Sequence, residues 1–350
     1  MAKIGIVKHP IYLEHKTEIF HPESPARLQA IYSMLEEQDF GGSLIPVEPR
    51  YAKLEELLLV HDPYYVDRVL DSAEKPRVRF DPDTVTSPKT YQAAWMAAGG
   101  VMEAIRAVLA GEVGSAFAFI RPPGHHALAD RAMGFCIFNN LAIGARYALK
   151  THGLERILIL DWDLHHGNGI QNIFYDDPQV LYFSLHRHPF FPWTGGPEEV
   201  GEGKGEGYTI NVPLDLGCSD ADYSNILRSL LHPIARRFRP EVVLVSAGFD
   251  THKDDPLRSM AVTEAGFARM TGLLMEITGE ICGGRLVFAL EGGYNTDALK
   301  DSVAMVLWEL AGSSKIDKDE MRRVEDAQFQ NIAKTIDQVK KIQEKYWGKL

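Results

Sequence analysis

An α/β fold built on a mainly parallel sheet is the architecture this sequence predicts, and three features predict it. Short apolar runs recur at 116–120, 157–160, 180–184, 242–246 and 286–290, rich in Val, Ile, Leu and Phe and bounded by polar or turn residues. Runs this short and continuous read as strands buried on both faces, as in a parallel sheet. Helical patterns lie between and around them, at 93–110, 141–150, 224–238 and 264–281. Strand alternating with helix over this length indicates one doubly wound domain. The third feature is a polar cluster at the end of each run. FAFI leads into RPPGHH, ILIL into DWDLHHGN, VLYFS into LHRH, VVLVS into AGFD, and LVFAL into EGGY.

In open α/β sheets, ligands bind beyond the carboxyl ends of the strands. A parallel sheet would therefore bring all five polar clusters to one edge, where they can form a single site. The remaining sequence bounds what that site serves. At 350 residues, one large α/β domain or two ordinary ones would fit, and the alternation favours one over 1–350. The segment 315–350 is charged and helix-compatible, so it is expected as a terminal helix packed on the outside. A composition 45% hydrophobic and 24% charged is that of a soluble globular protein.

The opening MAKIGIVKHP lacks the apolar core of a signal peptide. The most apolar long stretch, 93–110, is interrupted by Glu103 and Arg106, so no membrane span is expected and the location is expected to be cytoplasmic. Cys136, Cys218 and Cys282 form no CxxC pair and read as reduced, packed thiols. A net charge of −11 argues against direct nucleic-acid binding, which needs a basic footprint. It is compatible with a cationic substrate.

The clusters carry recognisable chemistry. In an extended segment Asp161, Asp163 and His165 alternate with Trp162 and Leu164, so the polar three project to one side. Carboxylate and imidazole suit Zn²⁺, and a third ligand from another strand leaves a position open for water. Asp250, ending VVLVSAGFD, is the natural third ligand. Without that match, DxH at a strand end is more simply turn chemistry. His125 and His126 follow a Pro-Pro-Gly turn, which can present both rings rigidly. Amide hydrolysis needs a base for water and an acid for the amine, and histidine serves both near neutral pH. Asp161 and Asn168 are available to orient the two rings. Tyr294, after two glycines, can donate to a developing oxyanion.

Taken together, RPPGHHA, GFCIFNN, DWDLHHGNG, SLHRH, FFPWTG, AGFD and LEGGYN resemble, in order, the motif set of the histone deacetylase superfamily, a resemblance that begins about HPESPARL. The resemblance runs from about residue 21 to about residue 310. It implies the arginase–deacetylase fold, a single α/β domain with a parallel eight-stranded sheet. By the resemblance, Asp163, His165 and Asp250 hold one catalytic zinc, His126 is the general base and acid, and His125 stabilises charge. Asp161 and Asn168 are their partners, and Tyr294 polarises the scissile carbonyl. Gly134 would receive the substrate amide N–H on its carbonyl, and Phe135 and Phe191 would wall an acyl-lysine tunnel. Leu257 and Gly293 are expected at the substrate, and Arg27 resembles the arginine lining an inner acetate channel. Structural K⁺ is implied at Asp161, Asp163, His165, Ser184 and Leu185, and again at Phe174, Asp177, Val180 and Tyr208.

Departures within the family refine the expectation. Asn168 and the EGGY sequence resemble class II enzymes and their bacterial relatives, and Tyr294 is not the histidine of the weakly active type. Polyamine-selective relatives carry a glutamate after the Asp-Pro pair, where this chain has Leu257 in DDPLRSM. The stretch FDPDTVTSPKTY lacks the long insertion of acetylpolyamine amidohydrolases. Both favour N-ε-acetyl-lysine in a peptide or protein over a small acetylated amine such as an acetylpolyamine. A long-chain acyl-lysine substrate and a non-catalytic acyl-lysine binding module are competing expectations. Trp193 and Arg258 stand where glycine is commoner, near the expected tunnel mouth. An oligomer is possible but is not derivable from the sequence.

Overall fold

The computed structural model describes residues 2–350. Among these residues ten strands run in chain order: β1 (Ile4–Val7), β2 (Leu44–Pro46), β3 (Val78–Arg79), β4 (Val85–Thr86), β5 (Ser115–Ala118), β6 (Ile157–Asp161), β7 (Val180–Arg187), β8 (Thr209–Leu214), β9 (Val242–Ala247) and β10 (Leu286–Leu290). Eight of them form one sheet in the order β2-β1-β5-β10-β9-β6-β7-β8, while β3 and β4 pair separately. Every pairing within the large sheet is parallel. This is a single α/β domain.

The five apolar runs are β5, β6, β7, β9 and β10. Strands β5, β6, β9 and β10 are buried at every residue, as strands covered on both faces must be. Strands β1, β2 and β8 do not stand out in the sequence, for three reasons. β1 is only four residues long, β2 is three residues of LIP at the sheet edge, and β8 (TINVPL) interrupts its apolar residues with Thr, Asn and Pro.

Between the strands, the helical patterns form Thr90–Leu109, Asn140–His152 and Glu264–Cys282. The pattern at 224–238 differs from its expectation of one continuous helix. It begins earlier, at Asp220, where Ser219 and Asp222 make a reciprocal cap. It then widens into a π-turn at Leu227–Leu231 before resuming as His232–Phe238. Pro233 supplies the reason: it has no N–H to donate and its ring crowds the preceding turn.

The helix Lys318–Trp347 lies along β8 and the Asp220–Ile226 helix. It buries Ile332, Ile336 and Val339, spaced as one helical face requires. Glu325 is also buried there, with Arg269 Nε at 2.6 Å and Arg228 Nη1 at 2.8 Å. Removing one member of a buried, hydrogen-bonded charge cluster strands the others. Glu325→Ala is therefore expected to destabilise the protein by about 3 kcal/mol. Equilibrium unfolding in urea measures it, and a loss below about 1 kcal/mol would show that the cluster does not hold the helix.

Candidate active site

The carboxyl ends of β5, β10, β9 and β6 are neighbours in the sheet, so His125 and His126, Glu291–Tyr294, Asp250 and Asp163–His165 meet at one edge. Strand β6 ends at Asp161, and residues 163–165 bend rather than extend. This differs from the extended alternation expected of DWDLH. The amide of Asp163 donates to Asp161 Oδ1 (3.2 Å) and that of His165 to Asp163 Oδ1 (2.9 Å). Carboxylates capping their own turn in this way release Asp161 to face His125.

Asp163, His165 and Asp250 offer ligand atoms within 4.8 Å of one another. His165 Nδ1 lies 3.1 Å from Asp163 Oδ1 and 3.0 Å from Asp250 Oδ2. Two ligands of one tetrahedral zinc ion, each about 2.0–2.1 Å from it, stand about 3.3 Å apart, so the spacing suits a shared ion. Asp250 Oδ2 is buried and, despite that proximity, makes no hydrogen bond. Burial, and then the Asp163 charge, push the Asp250 carboxyl up to about 7 in the protein's own field. With a metal ion in place of protons, two ionised carboxylates and a neutral imidazole would carry two negative charges that a dication matches. The remaining oxygens are held by backbone: Leu164 N–H on Asp250 Oδ1 (3.0 Å) and Gly292 N–H on Asp163 Oδ2 (2.8 Å). A side chain at Gly292 would fall 2.5 Å from Asp250 Oδ2, which explains the glycine.

Beside the trio, His126 Nδ1 is 2.8 Å from Asn168 Oδ1. An amide oxygen only accepts, so Nδ1 carries the proton and Nε2 keeps its lone pair. Burial, with the nearby His125 and His165, holds the His126 pKa well below the usual imidazole range. His125 Nδ1 lies 3.1 Å from Asp161 Oδ2, which also accepts from the Tyr182 hydroxyl at 3.1 Å. Burial disfavours charge on His125, yet the carboxylates of Asp163 and Asp161 outweigh it and push the pKa up to about 10. Adjacent histidines thus differ: one neutral and basic at Nε2, the other favouring the cation.

A cavity of about 230 Å³ reaches this cluster, lined by Asp83, Pro123, His125, His126, Gly134, Phe135, His165, Phe191, Gly292 and Tyr294. Gly134 adopts φ +54°, and a Cβ there would lie 2.5 Å from His126 Cδ2 and 3.1 Å from Phe191. Gly134→Ala is therefore expected to push the His126 ring from its place and lower kcat at least about tenfold. Steady-state kinetics decide it, and an unchanged kcat would mean that the ring has room to move.

Two expected substrate positions lie outside the cavity wall, and Arg27 is buried behind it. Gly293 is absent from the cavity wall. Its carbonyl accepts from Arg27 Nε (2.6 Å) and its Cα packs toward Phe249. Leu257 is also outside the wall and part-exposed, on the loop whose Asp255 accepts the Tyr294 N–H at 2.8 Å. Arg27 is wholly buried with its guanidinium committed to the Glu291 and Gly293 carbonyls and to Glu23. It lies 5.2 Å from the centre of the Tyr294 ring. It braces the EGGY turn.

Several partners are not evident in the sequence. Glu291 accepts the N–H groups of Gly124 (2.7 Å) and His125 (3.2 Å), tying the double-histidine turn to β10. Its place inside EGGY is the one signal that could have found it. Tyr182, Asp83 and the Arg121–Glu23 ion pair carry no local signature.

The potassium sets fall in two places. Ser184 is the register partner of Asp161, with Leu185 next to it, so that set lies where β6 ends beside the middle of β7 and offers oxygen donors of the kind that suit a hard cation. In the second set, Asp177 N–H donates to the Phe174 carbonyl (3.1 Å), Val180 N–H to that of Asp177 (3.4 Å), and Tyr182 N–H to that of Tyr208 (2.9 Å). Arg146 pairs with the Asp177 carboxylate, its guanidinium 4.6 Å over the Phe174 ring, which leaves main-chain carbonyls as this set's donors.

The family model of the histone deacetylase domain matches residues 21–310. The chain belongs to the histone deacetylase family. A probable deacetylase of Archaeoglobus fulgidus is 41% identical over 354 residues, covering 98% of each chain. The human polyamine deacetylase HDAC10 is 42% identical over 302 residues, 83% of this chain and 44% of that protein. The crystal structure of the HDA15 HD domain superposes with a TM-score of 0.89 at 37% identity, covering 99% of this chain and 95% of that one. This family member is therefore a deacetylase, a hydrolase of acetyl amide bonds, in a family whose metal is zinc.

Proposed function

We propose that this family deacetylase hydrolyses N-ε-acetyl-lysine in peptides or proteins to lysine and acetate. The observation that carries the choice is the opening itself. It is walled by Phe135 and Phe191, and the position after Asp255-Pro256 on a nearby loop is Leu257 rather than a carboxylate. A neutral, extended acyl-lysine can enter an aromatic passage with little desolvation cost, whereas a charged chain cannot.

Asp163, His165 and Asp250 would hold zinc, which supplies Lewis acidity toward a carbonyl and a water molecule. His126 Nε2 takes the proton of the attacking water while Asn168 holds Nδ1. The Tyr294 hydroxyl donates to the oxygen as it becomes an oxyanion. His126 then returns its proton to the departing amine. Asp161 keeps His125 oriented and favours its cation, which offsets the negative charge that builds up. The Asp161–Ser184 set is proposed to bind a structural K⁺, with the Phe174–Tyr208 set as a second site. The free, buried thiols of Cys136, Cys218 and Cys282 support a cytosolic protein.

A second reading, a deacetylase of small acetylated amines, is favoured by Asp83, a carboxylate in the cavity lining, and by the likeness to the human polyamine deacetylase. A side-by-side assay of the purified protein on an acetyl-lysine peptide and on N-acetylated spermidine, with metal content measured, separates them. Higher kcat/KM on the peptide with one zinc per chain is expected. Faster turnover of the polyamine would overturn the substrate choice.

A further inference from the structure

We propose that the tunnel mouth is an apolar collar, formed by Phe20, Trp193 and Leu257, that selects acyl-lysines flanked by large apolar side chains in an extended polypeptide. The proposal rests on the acetyl-lysine reading above and narrows it.

Phe20 is 98% exposed, Trp193 72% and Leu257 38%. Single exposed apolar side chains are ordinary, but each of these three stands within two residues of one that lines the cavity or binds a lining residue. Phe20 precedes His21, whose ring packs edge-on against Phe135 at 4.7 Å and whose Nε2 donates to the Asp83 carbonyl at 3.1 Å. Trp193 follows Phe191 by two residues and donates its N–H to the Phe190 carbonyl at 2.7 Å. Leu257 donates its N–H to Asp255 Oδ1 at 3.0 Å, and the other Asp255 oxygen holds the Tyr294 N–H.

The backbone supports the same conclusion. Among the described residues, four that are not glycine have φ well above zero: Phe135, Trp193, Arg239 and Arg258. Arg239 simply ends a helix. Of the other three, Phe135 lines the cavity, Trp193 follows the lining residue Phe191 by two positions, and Arg258 follows Leu257. Bulky residues adopt this conformation only where their surroundings hold it, and such positions cluster at functional sites.

The cavity has room for one side chain, so the main chain of a peptide substrate must cross the mouth. The residues on either side of the acyl-lysine then lie against the collar. An aromatic or branched neighbour removes apolar surface from water against the exposed rings.

The test uses the purified, zinc-loaded protein and three acetyl-lysine peptides that differ only in the residues flanking the acyl-lysine: Phe, Gly or Lys. N-acetylspermidine serves as the fourth substrate. The Phe peptide is expected to exceed the Gly peptide in kcat/KM by roughly tenfold, with the Lys peptide at or below Gly. In Phe20→Ser and in Trp193→Asn, and most fully in the double variant, that ratio should fall toward one. Phe20 is too exposed to matter for folding, and asparagine tolerates the backbone conformation of Trp193, so thermal midpoints should stay in place. Peptide turnover with no dependence on the flanking residue, or a dependence that both variants retain, overturns the collar and leaves the acetyl-lysine reading standing. Turnover of N-acetylspermidine alone overturns both.

Discussion

Replacing His126 with alanine is expected to lower kcat about a thousandfold on an acetyl-lysine peptide while zinc content stays at one per chain. The reasoning is positional. Asn168 fixes the proton on Nδ1, so the free lone pair on Nε2 belongs to the tautomer that a base needs. Burial keeps the ring neutral. His125 cannot stand in, because Asp161 and Asp163 hold it toward the protonated form. A variant within tenfold of wild type would move the base elsewhere. Steady-state kinetics and metal analysis on one preparation decide the matter, since lost zinc would point instead to collapse of the neighbouring ligands.

Removing only the hydroxyl of Tyr294 is expected to reduce kcat by about a hundred- to a thousandfold, with KM little changed. A donor aimed where charge develops acts on the transition state and hardly at all on the substrate. The ring itself is held by other means. Its amide is bonded to Asp255 Oδ2, the Arg27 guanidinium lies against it and Phe135 meets it edge-on at 6.0 Å. Tyr294→Phe should therefore keep its pose. An equal rise in KM and no fall in kcat would make the tyrosine a binding residue.

The residues most legible in the sequence are those whose chemistry and position coincide. Asp250 pairs with Asp163 and His165 on sequence grounds because each follows an apolar run that has to be a buried strand. The same reasoning locates His125 and His126. What stays hidden depends on contacts between distant segments. Glu291 is in plain view within EGGY, yet its role arises only because β10 lies beside β5 and its carboxylate can reach the Gly124 and His125 amides. Likeness alone places Arg27 at a channel, whereas its commitment to two carbonyls of the EGGY turn follows from packing across 266 residues. Strand β8, with Thr, Asn and Pro among its six residues, lacks the apolar continuity that betrays the central strands. At Gly293, φ is +112° and a Cβ would meet Phe249, which no periodicity encodes.

The place of β10 has a consequence for how the chain comes into being. Residues 286–290 are the last strand of the sheet to leave the ribosome, yet they sit between β5 and β9 near its middle. Until they arrive, the two halves of the sheet cannot join, and each presents an apolar edge with unpaired backbone groups. Neither half owns a complete active site, since the double histidine is on one side and the aspartates are on the other. Nascent chains stalled before about residue 290 should therefore be inactive and prone to associate through those edges. Late insertion of one short strand turns two vulnerable half-sheets into an enzyme in a single step.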